Sequence, residues 1–350
     1  MSCIVRKITS TVSAKPPFEL QDISFALKDG QIIAILGQSG AGKTSLLNAL
    51  AGFLPVQRGA VILDDKTVSC STYCLPPLDR NMGIIFQDHN LLPHLSLLEN
   101  LTLGMEKQDV YRRKTEIQIM LEELQLTHLQ KTLPHQVSGG QQQRVALGRA
   151  LIHNKKLLLF DEPFSGLDQG RMVQLARTIR NSVQKYNRIA VLVTHHIEEA
   201  FLIADMIGIM KDGKLLEVST PHIIYHTPST LEIAEYVGPI HILAGEKESS
   251  TKVKTNFGSA GIPGRLPSST KHIQLLTRPD DYTLIKGKQF AVQAISFLGM
   301  SQLVTVSNRT TTLQVSLEHH KSLCVGDMVD VKLSNKHPYV AYDMRGRKIH

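Results

Sequence analysis

The sequence predicts an α/β protein with a mostly parallel sheet, a helical insertion and a small all-β region at the C-terminal end. Apolar runs typical of strands alternate with helical stretches from about 23 to 238, which is the pattern of parallel βα units. The alternation is interrupted between 97 and 133, where the pattern becomes helical. Short β-type runs divided by turn residues follow from 272 onward.

The helical stretch is recognised by the spacing of its apolar side chains. Residues at i, i+3, i+4 and i+7 fall on one face of an α-helix, so this spacing predicts a helix with one buried face. The apolar set is Ile117, Met120, Leu121 and Leu124. The alternation of strands and helices resumes at Lys156.

Length and composition indicate a globular protein. The chain has 350 residues, of which 42% are hydrophobic and 20% charged, and this allows about two domains that each bury a core. The longest apolar runs, such as 32–36 and 157–160, are far shorter than the about 18 residues needed to span a bilayer. No apolar segment follows the basic pair near the N-terminus, so no signal peptide is predicted and we expect a cytoplasmic protein.

Charge and cysteine content narrow the possible partners. A net charge of +8 is compatible with nucleic acid or an anionic membrane surface. Because the basic residues are spread along the whole chain, we interpret them as solvated surface together with cations of a phosphate site. The four cysteines contain no CxxC pair, and a cytosolic chain would keep them reduced. Cys70 and Cys74 are a weak candidate for half of a metal site, since no second pair follows.

A glycine-rich segment lies between the apolar run 32–36 and a helical stretch. It reads Gly37-Gln38-Ser39-Gly40-Ala41-Gly42-Lys43-Thr44, followed by Ser45, and it matches the strand, loop and helix order of a phosphate-binding P-loop. The glycines let backbone N–H groups surround a β-phosphate, Lys43 reaches the β and γ oxygens, and the Thr44 hydroxyl can ligate Mg²⁺. A nucleoside triphosphate is therefore the predicted ligand.

Two acids end the apolar run 157–160, which predicts a buried strand. The first, Asp161, is placed to hold Mg²⁺ directly or through water. Glu162 lies one residue further, where a carboxylate can orient or deprotonate an attacking water. Together with the P-loop upstream, these acids indicate a P-loop ATPase.

A second candidate for phosphate binding begins at residue 138. Ser138-Gly139-Gly140-Gln141 precedes an apolar-periodic stretch from 145 to 152, so the pattern predicts a helix whose N-terminus is capped by Ser138. Helix N-termini attract anions. An ordinary capped turn would give the same pattern, but a second phosphate site far from the P-loop is explained if it serves the nucleotide of another subunit.

At this point the chain resembles the ATP-binding-cassette family, because its remaining motifs agree in identity and order. Gln87, within 84–94, matches the Q-loop. Ser165-Gly166-Leu167-Asp168 matches the D-loop, and His195 after the apolar run 191–193 matches the switch histidine. The segment Arg278-Pro279-Asp280-Asp281 and the β runs around it resemble the OB-like TOBE domain of importer ATPases.

The resemblance implies a P-loop NTPase fold with two domains. The nucleotide-binding domain is expected to cover 1–237, with a helical subdomain at about 89–156, and the TOBE-like domain 238–350. Within the second domain, 246–270 is rich in Ser, Thr, Gly, Lys and Pro and predicts a loop or linker. The predicted β runs after it are 272–277, 290–298, 302–307, 312–317 and 328–333.

The resemblance also implies a mechanism and partners. Two subunits would hold ATP head to tail, with the P-loop of one and the Ser138 turn and Asp168 loop of the other around each nucleotide. Glu162 and His195 would place and polarise water and phosphate, and Gln87 would contact Mg²⁺ or the water and report to the helical insertion. The expected partners are a second copy of the chain, separate membrane permease subunits and, indirectly, an extracytoplasmic solute-binding protein. The location would be peripheral, at the cytoplasmic face of the inner or plasma membrane.

Some positions depart from the family pattern. Val137 replaces a Leu, Gly166 an Ala and His196 an Asp, and none of these removes a phosphate ligand or the catalytic acid. The aromatic ring on which family members stack adenine has no counterpart between 9 and 17, and Phe18 follows late. Base recognition is therefore not assigned.

Three functional classes compete. The first is the motor subunit of an importer for ferric iron, sulfate, molybdate, polyamines or sugars, with ferric iron favoured by the short tail after Arg278. The second is a soluble cassette ATPase acting on nucleic acid or ribosomes. Such proteins usually carry two cassettes, a long coiled coil or zinc-binding cysteines, whereas this sequence has one P-loop, no sustained heptad pattern and no ligand-spaced cysteines. A small-molecule kinase would leave the Ser138 turn and His195 without a role. The β domain either binds a regulator or adds dimer contact area, and a fold alone decides neither.

Overall fold

The computed structural model of the protein describes residues 2–12, 18–86, 88, 90–268, 271–318, 323–334 and 338–349. The chain divides into two compact units, with the division between Pro221 and His222. The functional domain boundary at 237/238 stays a prediction. No helix among the described residues is long and apolar enough to cross a bilayer.

The first unit is built on one eleven-stranded sheet. Its order is β6-β5-β4-β1-β2-β11-β10-β3-β9-β8-β7. The strands are β1 Ser2–Val12, β2 Phe18–Lys28, β3 Ile32–Leu36, β4 Arg58–Leu63, β5 Lys66–Cys70, β6 Tyr73–Cys74, β7 Met82–Ile85, β8 Leu157–Asp161, β9 Ile189–Thr194, β10 Met206–Lys211 and β11 Lys214–Ser219.

The sheet has a parallel and an antiparallel part. Strands β10, β3, β9, β8 and β7 run parallel, whereas β1 and β2 and the hairpins from β4 to β6 pair antiparallel. Every residue of β3, β8 and β9 is buried, which explains their continuous apolar sequences. Because β3, β8 and β9 are parallel neighbours, their carboxyl ends meet at one edge, where ligands bind in sheets of this type.

Nine α-helices are found among the described residues. They are α1 Lys43–Ala51, α2 Leu97–Leu101, α3 Lys107–Arg112, α4 Lys114–Glu123, α5 Gly139–Ile152, α6 Gln169–Lys185, α7 Ile197–Ile203, α8 Pro221–His226 and α9 Leu231–Tyr236. Short 3-10 turns lie at Pro77–Asp79, Thr127–Leu129, Pro134–Gln136 and Pro279–Asp281.

The predicted helical insertion is present between β7 and β8 and contains α2 to α5. In α4, Ile117 and Leu121 are buried and Leu124 just after the helix is buried, while Met120 is half-buried, so the predicted apolar face is confirmed. Gly148 of α5 allows a close approach, because a Cβ there would lie 2.7 Å from Leu124 and 2.9 Å from Leu101. This links α5 tightly to both α2 and α4.

The second unit is mostly β and contains two antiparallel sheets. One has the order β14-β13-β12-β15-β20-β21 and the other β18-β17-β16-β19. The strands are β12 His241–Lys247, β13 Lys252–Thr255, β14 Gly258–Gly261, β15 His272–Thr277, β16 Tyr282–Phe297, β17 Ser301–Ser307, β18 Thr312–Glu318, β19 Met328–Leu333, β20 Val340–Tyr342 and β21 Lys348–Ile349. Their inward side chains form a separate apolar core.

The five predicted β runs of this unit are confirmed, but the predicted linker at 246–270 is wrong. This segment contains the end of β12 and the hairpin of β13 and β14. Val253 and Ala260, which pair across the hairpin, are completely buried while their neighbours are polar. The core residues of this segment, Val253, Ala260, Ile262 and Leu266, were too weak a signal against a background of Ser, Gly and Lys, and tertiary packing overrode local composition.

Candidate active site

The glycine-rich segment connects β3 to α1, as its sequence predicts. Gly42 is the residue before the helix and has a φ of 100°, and no side chain caps the helix start. A Cβ at Gly42 would lie 2.6 Å from the Phe18 ring, and one at Gly37 would lie 2.5 Å from the Met210 carbonyl oxygen. Glycine is therefore required at both positions. The first N–H groups of α1 are left for a ligand rather than for a side chain of the protein.

Lys43 is held inside this loop. Its Nζ donates to the carbonyl oxygens of Gly37 at 2.7 Å and Gln38 at 3.0 Å. The residue is only 8% exposed, and burial lowers the pKa of the ammonium, while the nearby Glu162 and Asp161 oppose this shift. The loop thus positions a cation beside its own N–H groups, which suits an anion.

The Thr44 hydroxyl and the Asp161 carboxylate meet across the sheet edge. Thr44 Oγ1 lies 3.4 Å from Asp161 Oδ1. Burial raises the pKa of Asp161, with a smaller contribution from Glu162, whereas Thr44 and Lys43 favour its ionised form. Both groups are oxygen ligands of the kind that Mg²⁺ prefers, and their separation lets them approach one small ion.

Glu162 and His195 come together from the ends of β8 and β9. Glu162 Oε1 lies 2.7 Å from His195 Nδ1. The Glu162 backbone has a φ of 48°, and its N–H donates to the Val193 carbonyl at 3.0 Å. Because an ionised carboxylate only accepts hydrogen bonds, Nδ1 carries the proton in this pair, which leaves Nε2 for a second partner.

Glu199 supports the histidine turn and was missed by the sequence reasoning. Its buried Oε2 is bonded to the Thr194 hydroxyl, and Thr194 Oγ1 accepts from the His196 N–H at 3.0 Å. Burial raises the pKa of Glu199. A glutamate on the first turn of a helix gives no local signal of such a role, so only the fold could reveal it.

The Ser138 turn begins α5 as predicted. Ser138 Oγ accepts from the Gln141 N–H at 3.4 Å, and Gln141 Oε1 accepts from the Ser138 N–H at 2.8 Å, which is a complete capping box. A Cβ at Gly139 would meet nothing within 4 Å, and one at Gly140 would lie 3.3 Å from Leu167. Among the described residues, no hydrogen bond or ion pair joins this turn to the P-loop or to Glu162.

The loop after Glu162 reaches Asp168, which caps α6. Asp168 Oδ1 accepts from the Arg171 N–H at 3.0 Å, and Oδ2 lies 3.2 Å from Arg171 Nε. Gly166, where Ala is usual, has a φ of 74°, a conformation that glycine adopts without strain.

The described site residues fall into two groups, those at one sheet edge and those at two helix starts. The structure brings the P-loop, Asp161, Glu162 and His195 to one sheet edge, while the Ser138 turn and Asp168 start two other helices. The remaining loop positions differ in exposure: Gln38, Ser39 and Gly40 are exposed, Ala41 is buried and Ser45 is half-buried. Gln87 lies outside the described residues.

A phosphate-binding loop with an internal lysine, followed in space by Asp161, Glu162 and His195 at adjacent strand ends, defines a P-loop nucleoside triphosphatase. Residues 20–165 match the family model described as ABC transporter. The Fe(3+) ions import ATP-binding protein FbpC 2 of Haemophilus influenzae is 32% identical over 328 residues, which cover 91% of each chain. The chain belongs to the ABC transporter family, and it binds ATP and is an ATPase.

Two further comparisons agree. The spermidine/putrescine import ATP-binding protein PotA of Pseudomonas fluorescens is 34% identical over 313 residues, covering 85% of this chain and 86% of that protein. Among solved structures, a dimeric post-hydrolysis state of the ATP-binding cassette MJ0796 bound to ADP and Pi matches with a TM-score of 0.55 and 27% identity. That match covers 63% of this chain and 98% of the cassette.

Proposed function

We propose that this chain is the ATP-hydrolysing motor subunit of an import system, which energises solute uptake through separate membrane permease subunits. The observation that carries the proposal is the pairing of Glu162 with His195 at the strand ends beside the P-loop. The import role is supported by relatives whose names describe import ATP-binding proteins along nearly the whole chain.

Each residue at the sheet edge has a chemical task in this proposal. The P-loop N–H groups and Lys43 hold the β and γ phosphates. Thr44, Asp161 and Gln87 would hold Mg²⁺, and the ion would neutralise charge on the phosphates. Glu162 accepts the proton of the attacking water. His195 donates Nδ1–H to Glu162 and, as an imidazolium with both ring nitrogens protonated, donates Nε2–H to the γ-phosphoryl oxygens.

The second phosphate-binding element acts on the nucleotide of a partner copy. Ser138, Gly139 and Gly140 open a helix whose free space suits a phosphate, and Asp168 lies on a neighbouring helix start. The related cassette MJ0796 forms a dimer, which supports a two-subunit arrangement here. Each nucleotide then lies between one P-loop and the partner's Ser138 turn, so hydrolysis requires two subunits.

The names of the relatives support a proposal for the cargo and the remaining partners. We favour ferric iron, since several relatives carry Fe(3+) import in their names, although polyamine, glucose and glycerol-3-phosphate importers are similar at 30–34% identity. The motor does not touch the solute, so its own site chemistry does not select among them. The complex includes permeases and an extracytoplasmic solute-binding protein, with this chain peripheral at the cytoplasmic membrane face.

The functional domains are 1–237 for nucleotide binding, with the helical subdomain at about 89–156, and 238–350 for the TOBE-like β domain. The helical subdomain contains α2 to α5, and α5 carries the Ser138 turn. This placement lets a permease that contacts the insertion sense the nucleotide. The β domain contributes either regulation or dimer contact.

Mixing two inactive variants tests the shared sites. Lys43→Ala removes the P-loop cation, and Ser138→Arg blocks the opposing turn, so each variant alone is expected to lose nearly all turnover. In mixed dimers, one of the two composite sites contains neither change, and some ATPase activity should return. Measuring phosphate release across mixing ratios checks this, with each variant mixed with itself as the control. Absence of rescue at every ratio would contradict assembly in trans.

The cargo is tested by uptake in cells that lack the chain. Radiolabelled ferric iron uptake should fall and should be restored by the wild-type chain but not by Glu162→Gln. Spermidine, glucose and sulfate are measured in the same cells as matched controls. Unchanged iron uptake together with loss of another solute would assign the motor to that solute instead.

A further inference from the structure

Gln143 joins the helix of the Ser138 turn to the segment that follows Glu162. It lies on α5, five residues after the capping residue Ser138, and is only 3% exposed. Its Nε2 donates to the Pro163 carbonyl at 2.7 Å. Pro163 directly follows Glu162, so one buried hydrogen bond ties the helix of the Ser138 turn to the backbone that carries the catalytic acid.

The orientation of this amide is fixed by its partner. A carbonyl oxygen only accepts, so the amide nitrogen must face Pro163. The other atom, Oε1, is buried and has no hydrogen-bond partner among the described residues. Gln143 also lines, with Asp161 and Glu162, a recess of about 230 Å³ not filled by protein atoms, part of which is open to solvent. A polar group left unpaired at this place is costly to keep, which argues for a functional reason.

A second contact strengthens the same connection. Gly140, in the first turn of α5, lies so close to Leu167 that an added Cβ would be 3.3 Å from its Cδ2. The segment from Glu162 to Asp168 therefore meets α5 at two points, near its beginning through Pro163 and near its end through Leu167. A shift of α5 along its axis would move this segment and the backbone of Glu162.

We propose that Gln143 is a positioning residue that couples the Ser138 turn to Glu162 within one subunit. This inference rests on the proposed function, in which the Ser138 turn contacts the partner's nucleotide while Glu162 acts on the nucleotide of its own P-loop. Contact of the Ser138 turn with one γ-phosphate then fixes α5, and Gln143 transmits this to the carboxylate at the other site. Engagement of phosphate at one site thereby speeds hydrolysis at the other without being required for it.

Gln143→Met tests the coupling with little effect on folding. Methionine has a similar length and no amide, so the variant loses the bond to Pro163 and also removes the unpaired Oε1, and these changes oppose each other in stability. We expect kcat for ATP to fall by about tenfold or more, because Glu162 is no longer held in place, while KM stays within about twofold. The Hill coefficient for ATP should fall toward 1.

Gln142→Met is the matched control. Gln142 is the preceding residue of α5, and its Nε2 also donates to a proline carbonyl, that of Pro134, at 2.9 Å. That bond leads into the helical insertion and not to Glu162. The control should keep kcat and the Hill coefficient near wild type, and both variants should show similar melting temperatures.

Gln143→Glu gives a second readout that a space-filling role would not move. The carboxylate has the shape of the amide but cannot donate to Pro163 until it is protonated, and burial near Asp161 and Glu162 favours protonation. The activity of Gln143→Glu relative to wild type should therefore rise as the pH falls. A constant ratio across pH would contradict a donor role for Gln143.

The purified 350-residue chain is used for all steady-state measurements, with Glu162→Gln assayed in parallel. Slow Gln143→Met with normal Gln142→Met supports the coupling. If Gln143→Met turns over within about twofold of wild type while Glu162→Gln is inactive, the coupling is wrong and the proposed function stands. If Glu162→Gln itself turns over normally, the proposed function is wrong, and the coupling fails with it.

Discussion

The N-termini of α1 and α5 are both candidate phosphate-binding sites, but they are built differently. Helix α1 begins after Gly42, has no side-chain cap and holds Lys43 within its loop. Helix α5 begins after Ser138, whose hydroxyl and Gln141 partner form a complete capping box, and Arg144 Nε donates to the Gly140 carbonyl of this turn at 3.4 Å. The α1 start is uncapped and holds a lysine within its loop, whereas the α5 start is capped by its own side chains.

We interpret this difference in capping as a difference in function between the two helix starts. The open start with its lysine is suited to bind nucleotide by itself, because among the described residues no hydrogen bond occupies the N–H groups of Lys43, Thr44 and Ser45. The capped start is satisfied in the isolated chain, and the Ser138 hydroxyl still has a proton to donate while it accepts from Gln141. In the proposed dimer it gains from a phosphate only when the partner presents one. On that proposal, α1 provides the affinity for nucleotide and α5 decides whether turnover occurs.

Replacing Glu162, the proposed general base, should separate nucleotide affinity from turnover most strongly. Glu162→Gln keeps both helix starts and the size of the side chain but removes the proton acceptor, so turnover should fall by about 10² to 10⁴-fold. ATP affinity should be retained, and a dimer held by unhydrolysed nucleotide should accumulate, as measured by sedimentation with Mg-ATP. Without nucleotide, the variant and wild type should sediment alike. Normal turnover would remove Glu162 from its assigned role.

Adding one methyl group to each helix start should have opposite effects on stability. At Gly42 an alanine side chain meets the left-handed backbone and the Phe18 ring at 2.6 Å, so Gly42→Ala should lower stability by about 2 kcal/mol and weaken ATP binding. At Gly139 the space is open, and Gly139→Ala should preserve or slightly raise the melting temperature while turnover falls. Thermal melts and ATP titrations on both variants measure the contrast. Equal destabilisation would break it.

The smallest expected difference is in pH dependence. Burial raises the pKa of Asp161 above its ordinary value of 3.8, so the folded chain binds this proton more tightly than the unfolded chain. Stability from this group is therefore present at low pH and is lost as pH rises from 3.8 through the folded pKa. Mg-ATP binding has the opposite sign, because it needs the carboxylate and weakens as the pH falls through the same window.

Nucleotide titrations between pH 4 and 7 check this, with an expected change of about a few-fold to tenfold in affinity. Asp161→Asn should remove the part of the pH dependence that belongs to this carboxyl. Ser138→Ala should leave it unchanged, since the α5 start contains no titrating group. If Ser138→Ala changed the pH dependence of ATP affinity and Asp161→Asn did not, the assignment of nucleotide affinity to the α1 side of the site would be wrong.

The local parts of the site were predictable because their information is local. The P-loop, the acids at the end of β8 and the cap at Ser138 depend on the order of neighbouring residues, and the structure places them in the predicted elements. The contacts of His195 with Glu162 and of Gln143 with Pro163 join residues distant in sequence, and no spacing rule selects their partners. Glu199 was missed for the same reason, since burial of one glutamate in α7 depends on the packing of the sheet edge.

The fold was predicted unevenly. Fully apolar strands such as β3 and β9 gave clear signals, and the α/β class with its helical insertion and all-β region is confirmed. The antiparallel part made by β1, β2 and β4 was not anticipated, because its strands alternate buried and exposed residues and several lie outside the βα pattern. The segment of β13 and β14 predicts a linker because its sequence is rich in glycine and serine, whereas the structure forms a hairpin there.

Glu162 occupies a backbone conformation that suits glycine far better than glutamate, with its φ of 48°. A non-glycine residue in that region costs about 1–2 kcal/mol, so the chain tolerates a small permanent penalty in order to present a carboxylate at this strand end. A library screened only for thermal resistance would tend to discard this side chain. Selection for stability and selection for catalytic activity therefore favour different residues at position 162.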